Sequence, residues 1–200
     1  MNKAILGGSF NPIHKGHLKM AECAHNQFGL DDIVVMPNKT TYYKENIEFV
    51  SDEDRLSMIR LAIEGKSYLS VSDMEILRGG VTHTIDTIRE FERLYPGVKL
   101  YFVIGGDSLA WVDRWVSAKE LLESVTFLTA VRGENDIERS KGIIRRIKSE
   151  HPKSQIELLN MEDYPVSSSG IREKIKCGED VSGVLPDKVY DYILEHGLYR

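Results

Sequence analysis

The sequence predicts an α/β fold, in which a doubly wound, mostly parallel sheet carries helices on both faces. Strand-like and helix-like segments alternate along all 200 residues, and that alternation is typical of parallel strands joined by helices. In addition, the residues best suited to chemistry follow directly after predicted strands. Because the carboxyl ends of parallel strands meet at the ligand-binding edge of such sheets, we expect a site at that edge.

Short apolar runs predict the strands. Pro37 closes the second run, and the fourth is almost wholly apolar, which is typical of a central strand that is covered on both faces. In chain order, the predicted strands are Lys3–Leu6, Ile33–Met36, Tyr68–Ser72, Lys99–Ile104, Val125–Val131 and Gln155–Leu159.

Helical spacing of apolar residues, together with recognisable caps, predicts the helices between the strands. Gly29 stands at the C′ position that ends the first helix, and Ser51–Asp54 resembles a capping box with Asp in place of Glu. Pro186 fits the N1 position of a last helix that stops at Gly197. The predicted helices, in chain order, are Lys15–Phe28, a helix from the Ser51 cap to Glu64, Thr84–Tyr95, a short helix capped by Ser117, Asp136–Glu150, Ser168–Cys177 and the helix that Pro186 opens.

The composition is that of a globular protein. Hydrophobic residues make up 42% of the chain and charged residues 28%, and the formal net charge of −5 argues against a general nucleic-acid-binding protein. No apolar run approaches the roughly 20 residues that cross a bilayer, and no secretion signal is recognisable. We therefore expect a single cytoplasmic domain over residues 1–200, without nucleic-acid or membrane partners. Cys23 and Cys177 lie far apart and indicate neither a disulfide framework nor a metal site.

The segment Gly7-Gly-Ser-Phe-Asn-Pro-Ile-His14-Lys-Gly-His17 joins the first strand to the first helix. Glycines let an anion approach the main chain, and a helix N-terminus offers unpaired N–H groups and the positive end of its dipole. Residues three apart on a helix are neighbours, so His14 and His17 can each donate an N–H to one phosphate. They could instead be cap or core histidines, but the adjacent Gly7 and Gly8 favour a phosphate site. A zinc site would need a third protein ligand.

A second phosphate-like motif is Val166-Ser-Ser-Ser-Gly-Ile-Arg172. One serine can cap the helix that follows, while the other hydroxyls and N–H groups face a ligand. Arg172 lies about one turn further along and can direct its fork of donors at the same phosphates. Ordinary helix capping would account for one serine, whereas the excess of hydroxyls favours a binding role.

Other candidates lie at the same predicted edge. Asp107 follows two glycines and could cap a helix, accept from a ribose hydroxyl or approach a metal-bound phosphate. Trp111 and Trp115, four residues apart, could be core residues or could stack on a heteroaromatic ring. His83 and Thr84 open a helix whose N–H groups could meet a second ligand. The loop cations at this edge are Lys39, Lys44 and Arg132, whereas Arg55, Arg60 and the Lys141–Lys148 cluster look like solvated helix faces.

The Gly7–His17 and Ser167–Arg172 segments resemble the H-x-G-H nucleotidyltransferase superfamily. Within it the chain is similar, almost from end to end, to bacterial nicotinate-nucleotide adenylyltransferases, and the segments with Thr84, Asp86 and Trp115 indicate that branch. The resemblance implies one Rossmann-like nucleotidyltransferase domain, whose C-terminal helical part, about 167–200, completes the ATP site.

The resemblance also implies a reaction in NAD biosynthesis. The phosphate of nicotinate mononucleotide attacks the α-phosphorus of ATP, giving nicotinate adenine dinucleotide and pyrophosphate without a covalent protein intermediate. Mg²⁺ is expected to arrive on the ATP phosphates rather than in a protein cage, so no residue is assigned as a metal ligand. The protein then contributes positioning and charge stabilisation.

Matching positions carry the family's site residues onto this chain. Catalytic roles fall to His14, His17 and Arg172. Contacts with ATP fall to Gly7, Gly8, Ser9, Phe10, Gly105, Asp107, Ser168 and Ser169. The mononucleotide would meet Lys44 at a phosphate, Thr84 at the nicotinate carboxylate and Trp115 stacked on the pyridine ring.

Among its departures from the family, the sequence has Thr41-Tyr-Tyr-Lys44 in a loop where Pro-Pro-His-Lys is common. The lysine is kept, but Tyr43 replaces a histidine and cannot carry its positive charge. Two alternatives stay open: an enzyme that prefers nicotinamide mononucleotide, and a non-catalytic nucleotide sensor. A homo-oligomer is also possible.

Overall fold

One parallel sheet organises the protein, described by a computed structural model over residues 1–39, 50–162 and 164–200. The strands within those ranges are β1 (Asn2–Gly8), β2 (Asp32–Pro37), β3 (Leu69–Val71), β4 (Lys99–Gly105), β5 (Thr126–Arg132) and β6 (Gln155–Met161). Their order is β3-β2-β1-β4-β5-β6, and each neighbouring pair is parallel. The predicted Rossmann-like sheet is confirmed, with β4 beside β1 at its centre.

Helices fill the connections between these strands. In the described ranges they are α1 (Lys15–Phe28), α2 (Asp52–Ile63), α3 (Met74–Arg78), α4 (Thr84–Leu94), α5 (Gly106–Leu109), α6 (Ala118–Ser124), α7 (Gly133–Glu150), α8 (Ser168–Lys176) and α9 (Asp187–Glu195), with a 3₁₀ turn at Val112–Arg114. None of the helices in those ranges combines the length and the apolar character needed to cross a bilayer.

Two predicted caps are confirmed. Gly29 ends α1 in the left-handed conformation, with φ 58° and ψ 46°. Ser51 caps α2, because its hydroxyl oxygen accepts the N–H of Asp54 at 3.0 Å. Both residues act locally, which explains why the sequence alone located these two helix ends well.

Two other predicted caps are wrong in part: Pro186 lies one position before the expected one, and Ser117 is the N-cap residue of α6 but does not cap it with its side chain. Pro186 has φ −58° and ψ 140°, so it is the N-cap of α9 rather than its first helical residue. Ser117 precedes α6, but its backbone is left-handed (φ 56°, ψ 38°) and its side chain makes no cap hydrogen bond. An N-cap hydroxyl reaches the first turn from extended backbone, which Ser117 does not adopt.

Apolar side chains form a separate cluster on each face of the sheet. Along β1, Ala4 and Leu6 belong to one cluster and Ile5 to the other, because successive strand residues point to opposite faces. The first cluster packs against α1, α2, α8 and α9, and the second against α4, α6 and α7. The sheet is thus covered on both faces, as doubly wound folds require.

The chain's change of face places a crevice at the carboxyl ends of β1 and β4. The connections of β1, β2 and β3 lie on one face through α1 and α2, whereas α4 leads into β4 along the other. In this strand order the switch lies between β1 and β4, and open α/β sheets bind ligands there. Gly8 and Gly105 end these two strands and mark the position.

Candidate active site

Gly7 and Gly8, at the end of β1, each lie against one aromatic ring. A Cβ on Gly7 would lie 3.1 Å from the ring of Phe102, and a Cβ on Gly8 would lie 3.0 Å from the ring of Phe10. These distances are shorter than ordinary contacts, so a side chain at either position would press on a ring and displace it by a few tenths of an ångström. The same lack of side chains leaves the main chain open to an anion at the crevice.

His14 and His17 stand together where α1 begins. His14 is the N-cap residue and is 5% exposed, while His17 is half-buried in the first turn. Their rings stack with centroids 3.7 Å apart. The N–H of His14 donates to Nδ1 of His17 at 3.2 Å, so in a neutral His17 ring the hydrogen is on Nε2. The two imidazoles therefore form one unit at the positive end of α1.

Gly16 lies between the two histidines and was not assigned a role from the sequence. A Cβ there would come within 2.8 Å of Cγ1 of Val166 and 3.0 Å of Nδ1 of His14. A side chain would therefore force His14 or the segment before α8 to move. The signal was present, because glycine in a first helical turn is costly unless close packing demands it.

Asn11 connects the β1–α1 loop to distant parts of the chain. Its side-chain oxygen accepts the hydroxyl of Tyr199 at 2.9 Å and the N–H of Val50 at 3.4 Å. Its carbonyl oxygen accepts Nη1 of Arg172 at 2.8 Å. Arg172 therefore reaches the predicted site, while one of its donors holds the loop. Tyr199 was not predicted as a site residue.

The serine segment also contacts the β1–α1 loop. Ser167 is the cap, and its hydroxyl oxygen accepts the N–H of Gly170 at 3.2 Å. Ser168 donates its hydroxyl to the carbonyl oxygen of Pro12 at 2.9 Å, and the hydroxyl oxygens of Ser169 and Ser167 are 3.2 Å apart. The N-termini of α1 and α8 thus lie side by side, and their N–H groups can act on one anion.

Arg55 is fully buried, at 0% exposure, so the expectation that it lies on a solvated helix face is wrong. Its Nη1 donates to the carbonyl oxygen of Ser9 at 2.8 Å, and its Nη2 pairs with the Asp52 carboxylate. Burial acts to raise the pKa of Asp52, but hydrogen bonds from Lys39 and Arg55 outweigh it, so the pKa is lowered. The buried Arg55 side chain is stable because the Ser9 carbonyl oxygen and the Asp52 carboxylate compensate for its charge.

Thr84 and Trp115 lie on the opposite face of the sheet from the histidines. Thr84 is the first residue of α4 and is half-buried. Trp115 packs edge-on against Phe102 and Phe127, at centroid distances of 6.5 and 6.2 Å. Because Phe102 also borders Gly7, the indole lies close to the β1–β4 crevice while belonging to the second apolar cluster.

Trp111 and Trp115 do not form a helical pair. The helix α5 ends at Leu109, and the 3₁₀ turn separates the two indoles. Trp111 is 56% exposed, with the Arg114 guanidinium 4.7 Å from its ring centroid. Trp111 is therefore not a core residue, Trp115 packs beside the crevice, and stacking of either indole on a ligand ring stays a prediction.

The other predicted residues that the structure describes lie at the ends of β4 and β5, in α5 and before α2. Gly105 precedes α5 as its N-cap, and Asp107 is exposed in the first turn rather than capping it. Lys39 pairs with Asp52. Arg132 ends β5, while its side chain lies outside what the structure describes. The predictions for Lys44 and Tyr43 fall on residues 40–49, which are also outside the described ranges.

This arrangement suits a nucleotide-processing enzyme, and comparisons with known proteins agree. The family model described as cytidylyltransferase-like matches residues 5–174. A relative from Lachnoclostridium phytofermentans, named "Probable nicotinate-nucleotide adenylyltransferase", is 39% identical over 195 residues, covering 98% of this chain and 97% of its own length. The chain belongs to the nicotinate-nucleotide adenylyltransferase family.

Further members of the nicotinate-nucleotide adenylyltransferase family match along their whole length. A Dehalococcoides mccartyi protein of the same printed name is 38% identical, covering 100% of this chain and 98% of its own. Among solved structures, a Plasmodium falciparum nicotinic acid mononucleotide adenylyltransferase complexed with NaAD superposes with a TM-score of 0.81. It covers 99% of this chain and 97% of its own, and at 22% identity it supports the fold.

Proposed function

We propose that this chain transfers the adenylyl group of ATP to nicotinate mononucleotide, forming nicotinate adenine dinucleotide and pyrophosphate. The observation that carries the proposal is the stacked His14–His17 pair beside the joined N-termini of α1 and α8. This anion site lies at the same sheet edge as Thr84 and Trp115, on the other face. Two phosphorylated substrates could therefore meet end to end across the crevice.

In the proposed reaction, a phosphate oxygen of the mononucleotide forms a bond to the α-phosphorus of ATP. The bond from that phosphorus to the bridging oxygen breaks, and its electron pair leaves with pyrophosphate. Negative charge grows on the leaving group and on the oxygens around phosphorus. Donors fixed before the reaction stabilise such charge without reorganising. We assign this role to His14, to Nε2–H of His17, to Arg172 and to the first-turn N–H groups of α1 and α8 other than those of Lys15 and Gly170, which already donate to Val184 and Ser167.

The ATP phosphates would lie along the β1–α1 loop. Support comes from the packing that leaves Gly7 and Gly8 without side chains, and from the hydrogen bonds that hold this loop. Further contacts are assigned to Ser9, Phe10, Gly105, Asp107, Ser168 and Ser169. For Ser168 the hydroxyl already donates to Pro12, so we assign its backbone N–H to the phosphates.

Mg²⁺ is proposed to enter bound to the ATP phosphates, where it would neutralise part of their charge. Asp107 fits such an ion, since its exposed carboxylate offers the oxygen donor that Mg²⁺ prefers and lies at the crevice. The protein residues would still orient the phosphates and exclude water from them.

Selectivity for nicotinate is proposed to come from the N-terminus of α4. A ring carboxylate would receive N–H groups of the first turn and the Thr84 hydroxyl, and it carries the charge that a helix N-terminus favours. A carboxamide of the same shape lacks that charge. Trp115 would stack on the pyridine ring, and Lys44 would approach the mononucleotide phosphate.

We also propose that the C-terminal part, about 167–200, completes the ATP site within a single domain over residues 1–200. Support comes from contacts that join it to the start of α1: the N–H of Lys15 donates to the carbonyl oxygen of Val184 at 3.0 Å, and Arg172 donates to Asn11. A cytoplasmic location and a homo-oligomer stay predictions.

Pyrophosphate release from ATP tests the function directly. With Mg²⁺ present, we expect rapid release with nicotinate mononucleotide and much slower release with nicotinamide mononucleotide. Faster release with the amide would contradict the assigned selectivity. Release with neither mononucleotide, from protein that still binds ATP, would favour a nucleotide sensor over an enzyme.

A further inference from the structure

Glu75 is a buried carboxylate that the proposed reaction does not use. It lies on the short helix α3 at 6% exposure. Its Oε1 accepts the hydroxyl of Thr87, which is fully buried on α4, at 2.5 Å. A carboxylate inside a protein is costly unless it is hydrogen-bonded, so its presence between two helices calls for a role that an apolar residue could not fill.

Arg78 extends this contact into a network. Its Nη2 donates to the Thr87 hydroxyl oxygen at 2.8 Å, and its Nη1 donates to Oε2 of Glu90 at 3.2 Å. Burial raises the pKa of Glu75, while the hydrogen bond from Thr87 and the charge of Arg78 act in the opposite direction. A carboxyl, a hydroxyl and a guanidinium thus join α3 to the first two turns of α4.

The network acts next to a turn that offers little rigidity. Gly79 and Gly80, between α3 and α4, both adopt positive φ, at 68° and 69°. Ile85, Ile88 and Phe91 hold α4 against the sheet, but apolar contacts tolerate small slides and rotations. Hydrogen bonds have narrower geometric limits, so the Glu75–Thr87 contact fixes where α4 begins along its own axis.

The position at which α4 begins matters for the proposed binding of the mononucleotide. Thr87 lies three residues after Thr84, on the same side of the first turns of α4. A shift of Thr87 relative to α3 would therefore move Thr84 and the neighbouring N–H groups by the same amount. Substrate positioning is sensitive to displacements of about 1 Å.

We propose that Glu75 is a positioning residue for the mononucleotide: through Thr87 it fixes the N-terminal turn of α4, whose N–H groups receive the substituent on the pyridine ring. This inference rests on the proposed function and adds to it a buried residue that sets substrate selection without touching the substrate.

Steady-state kinetics on three variants test the proposal. We expect Glu75→Ala to raise KM for nicotinate mononucleotide about tenfold, which corresponds to about 1.4 kcal/mol, with KM for ATP and kcat changed less than twofold. Glu75→Gln keeps an acceptor for Thr87 and should recover part of the loss. Thr87→Val keeps the shape of the side chain, removes the hydroxyl and should resemble Glu75→Ala. If Glu75→Ala does not fold, the kinetics of Thr87→Val test the positioning role instead.

Glu120→Gln is the matched control. That carboxylate holds the outer face of α4 through two bonds from Arg89, at 2.8 and 2.7 Å, and does not reach α3. The Glu120→Gln variant should leave kcat and the KM values for both substrates unchanged. Hydrogen exchange without ligands gives an independent measure: Glu75→Ala should speed exchange in the second turn of α4, where the N–H groups are first hydrogen-bonded within the helix, and Glu120→Gln should not.

The outcomes separate the two proposals. If the parent protein releases no pyrophosphate with either mononucleotide, the proposed function fails, while the exchange measurement still judges the role of Glu75. If the parent is active and the Glu75 and Thr87 variants change both KM values equally, or neither, the positioning role is overturned. Unchanged exchange in the second turn of α4 would overturn it as well.

Discussion

The bond from the His14 N–H to Nδ1 of His17 determines which ring nitrogen can act as a donor, because it directs the hydrogen of a neutral ring to Nε2. We expect His17→Ala to lower kcat about 100-fold or more, the usual cost of removing a fixed donor at developing charge. Folding should lose that hydrogen bond and the ring stacking on His14, together about 1–2 kcal/mol. Pyrophosphate release and urea unfolding measure the two effects.

His25 provides the control for this substitution. It lies in the last turn of the same helix, its Nδ1 is 2.7 Å from the carbonyl oxygen of Leu30, and its ring stacks on Tyr68. His25→Ala should cost comparable stability and leave kcat unchanged. Near-normal turnover in His17→Ala would refute the assigned role.

Gly16 gives a second test at the scale of one residue. In most helices Gly→Ala raises the free energy of unfolding, but a Cβ here would meet Val166 and His14. We expect Gly16→Ala to lower that free energy by about 1–3 kcal/mol, as overpacking does, and to lower kcat by displacing the His14 ring. Urea unfolding and pyrophosphate release check both.

Gly142→Ala on α7 is the matched comparison, because a Cβ there meets nothing within 4 Å. It should raise the free energy of unfolding by about 0.5–1 kcal/mol. If both substitutions stabilised the protein, the close contact proposed for Gly16 would be absent.

At the scale of elements, a pair of charges joins the 3₁₀ turn to α7. The hydrogen bond from Arg146 holds the pKa of Asp113 below its usual range, although burial opposes this. A lowered pKa in the folded state adds stability above the unfolded pKa of about 3.9, and that stability is lost as pH falls through the folded pKa. Asp113→Asn should therefore be less stable than the parent at pH 7, with the difference shrinking below about pH 4.

Thermal unfolding between pH 7 and pH 2.5 measures this difference. Glu138→Gln, which removes an exposed pair with Lys141 on α7, should have a much smaller effect at every pH. A stability difference for Asp113→Asn that stays constant across the range would contradict the ion-pair explanation.

Elements with local signals were predictable, and elements fixed by distant contacts were not. The end of α1 follows from Gly29, whereas α3 was not predicted: it has only five residues, and its flanking Asp73 and Gly79 are equally typical of a loop. Arg55 shows the same limit: apolar periodicity assigns charged residues to solvent, but this guanidinium is buried against the carbonyl of Ser9. Glu75 was missed because its partner Thr87 lies on another helix.

At the scale of the whole molecule, the last residues of the chain reach the β1–α1 loop. Burial raises the pKa of Tyr199, so its hydroxyl stays a donor to Asn11 at any ordinary pH. We expect Tyr199→Phe to lower the free energy of unfolding by about 1 kcal/mol and to raise KM for ATP more than KM for the mononucleotide. Urea unfolding and steady-state kinetics check these results.

Tyr192 serves as the comparison, because its hydroxyl donates to Asp54 on α2 at 3.0 Å, whereas that of Tyr199 donates to the β1–α1 loop. Tyr192→Phe should cost similar stability and leave KM for ATP unchanged. Equal rises in both KM values for Tyr199→Phe would mean that Tyr199 supports the fold without acting on the nucleotide.

The sequence alone located the general position of the candidate site but not its supports. Gly7, His14 and Ser167 fall after strands or at helix starts, so the parallel order of the sheet suffices to bring them to one edge. The bond between Asn11 and Tyr199 spans 188 positions, and neither residue type carries a signal for such a distant partner. Packing in three dimensions is what selects those pairs.

The dependence of Asn11 on Tyr199 and Arg172 has a consequence for protein synthesis. A ribosome releases the β1–α1 loop early, but two of the hydrogen-bond donors to Asn11 are translated near the end of this sequence. A partly made chain can therefore pair its first strands long before that loop reaches its final shape. Competence to hold a nucleotide would then arise late, when the carboxyl-terminal helices dock.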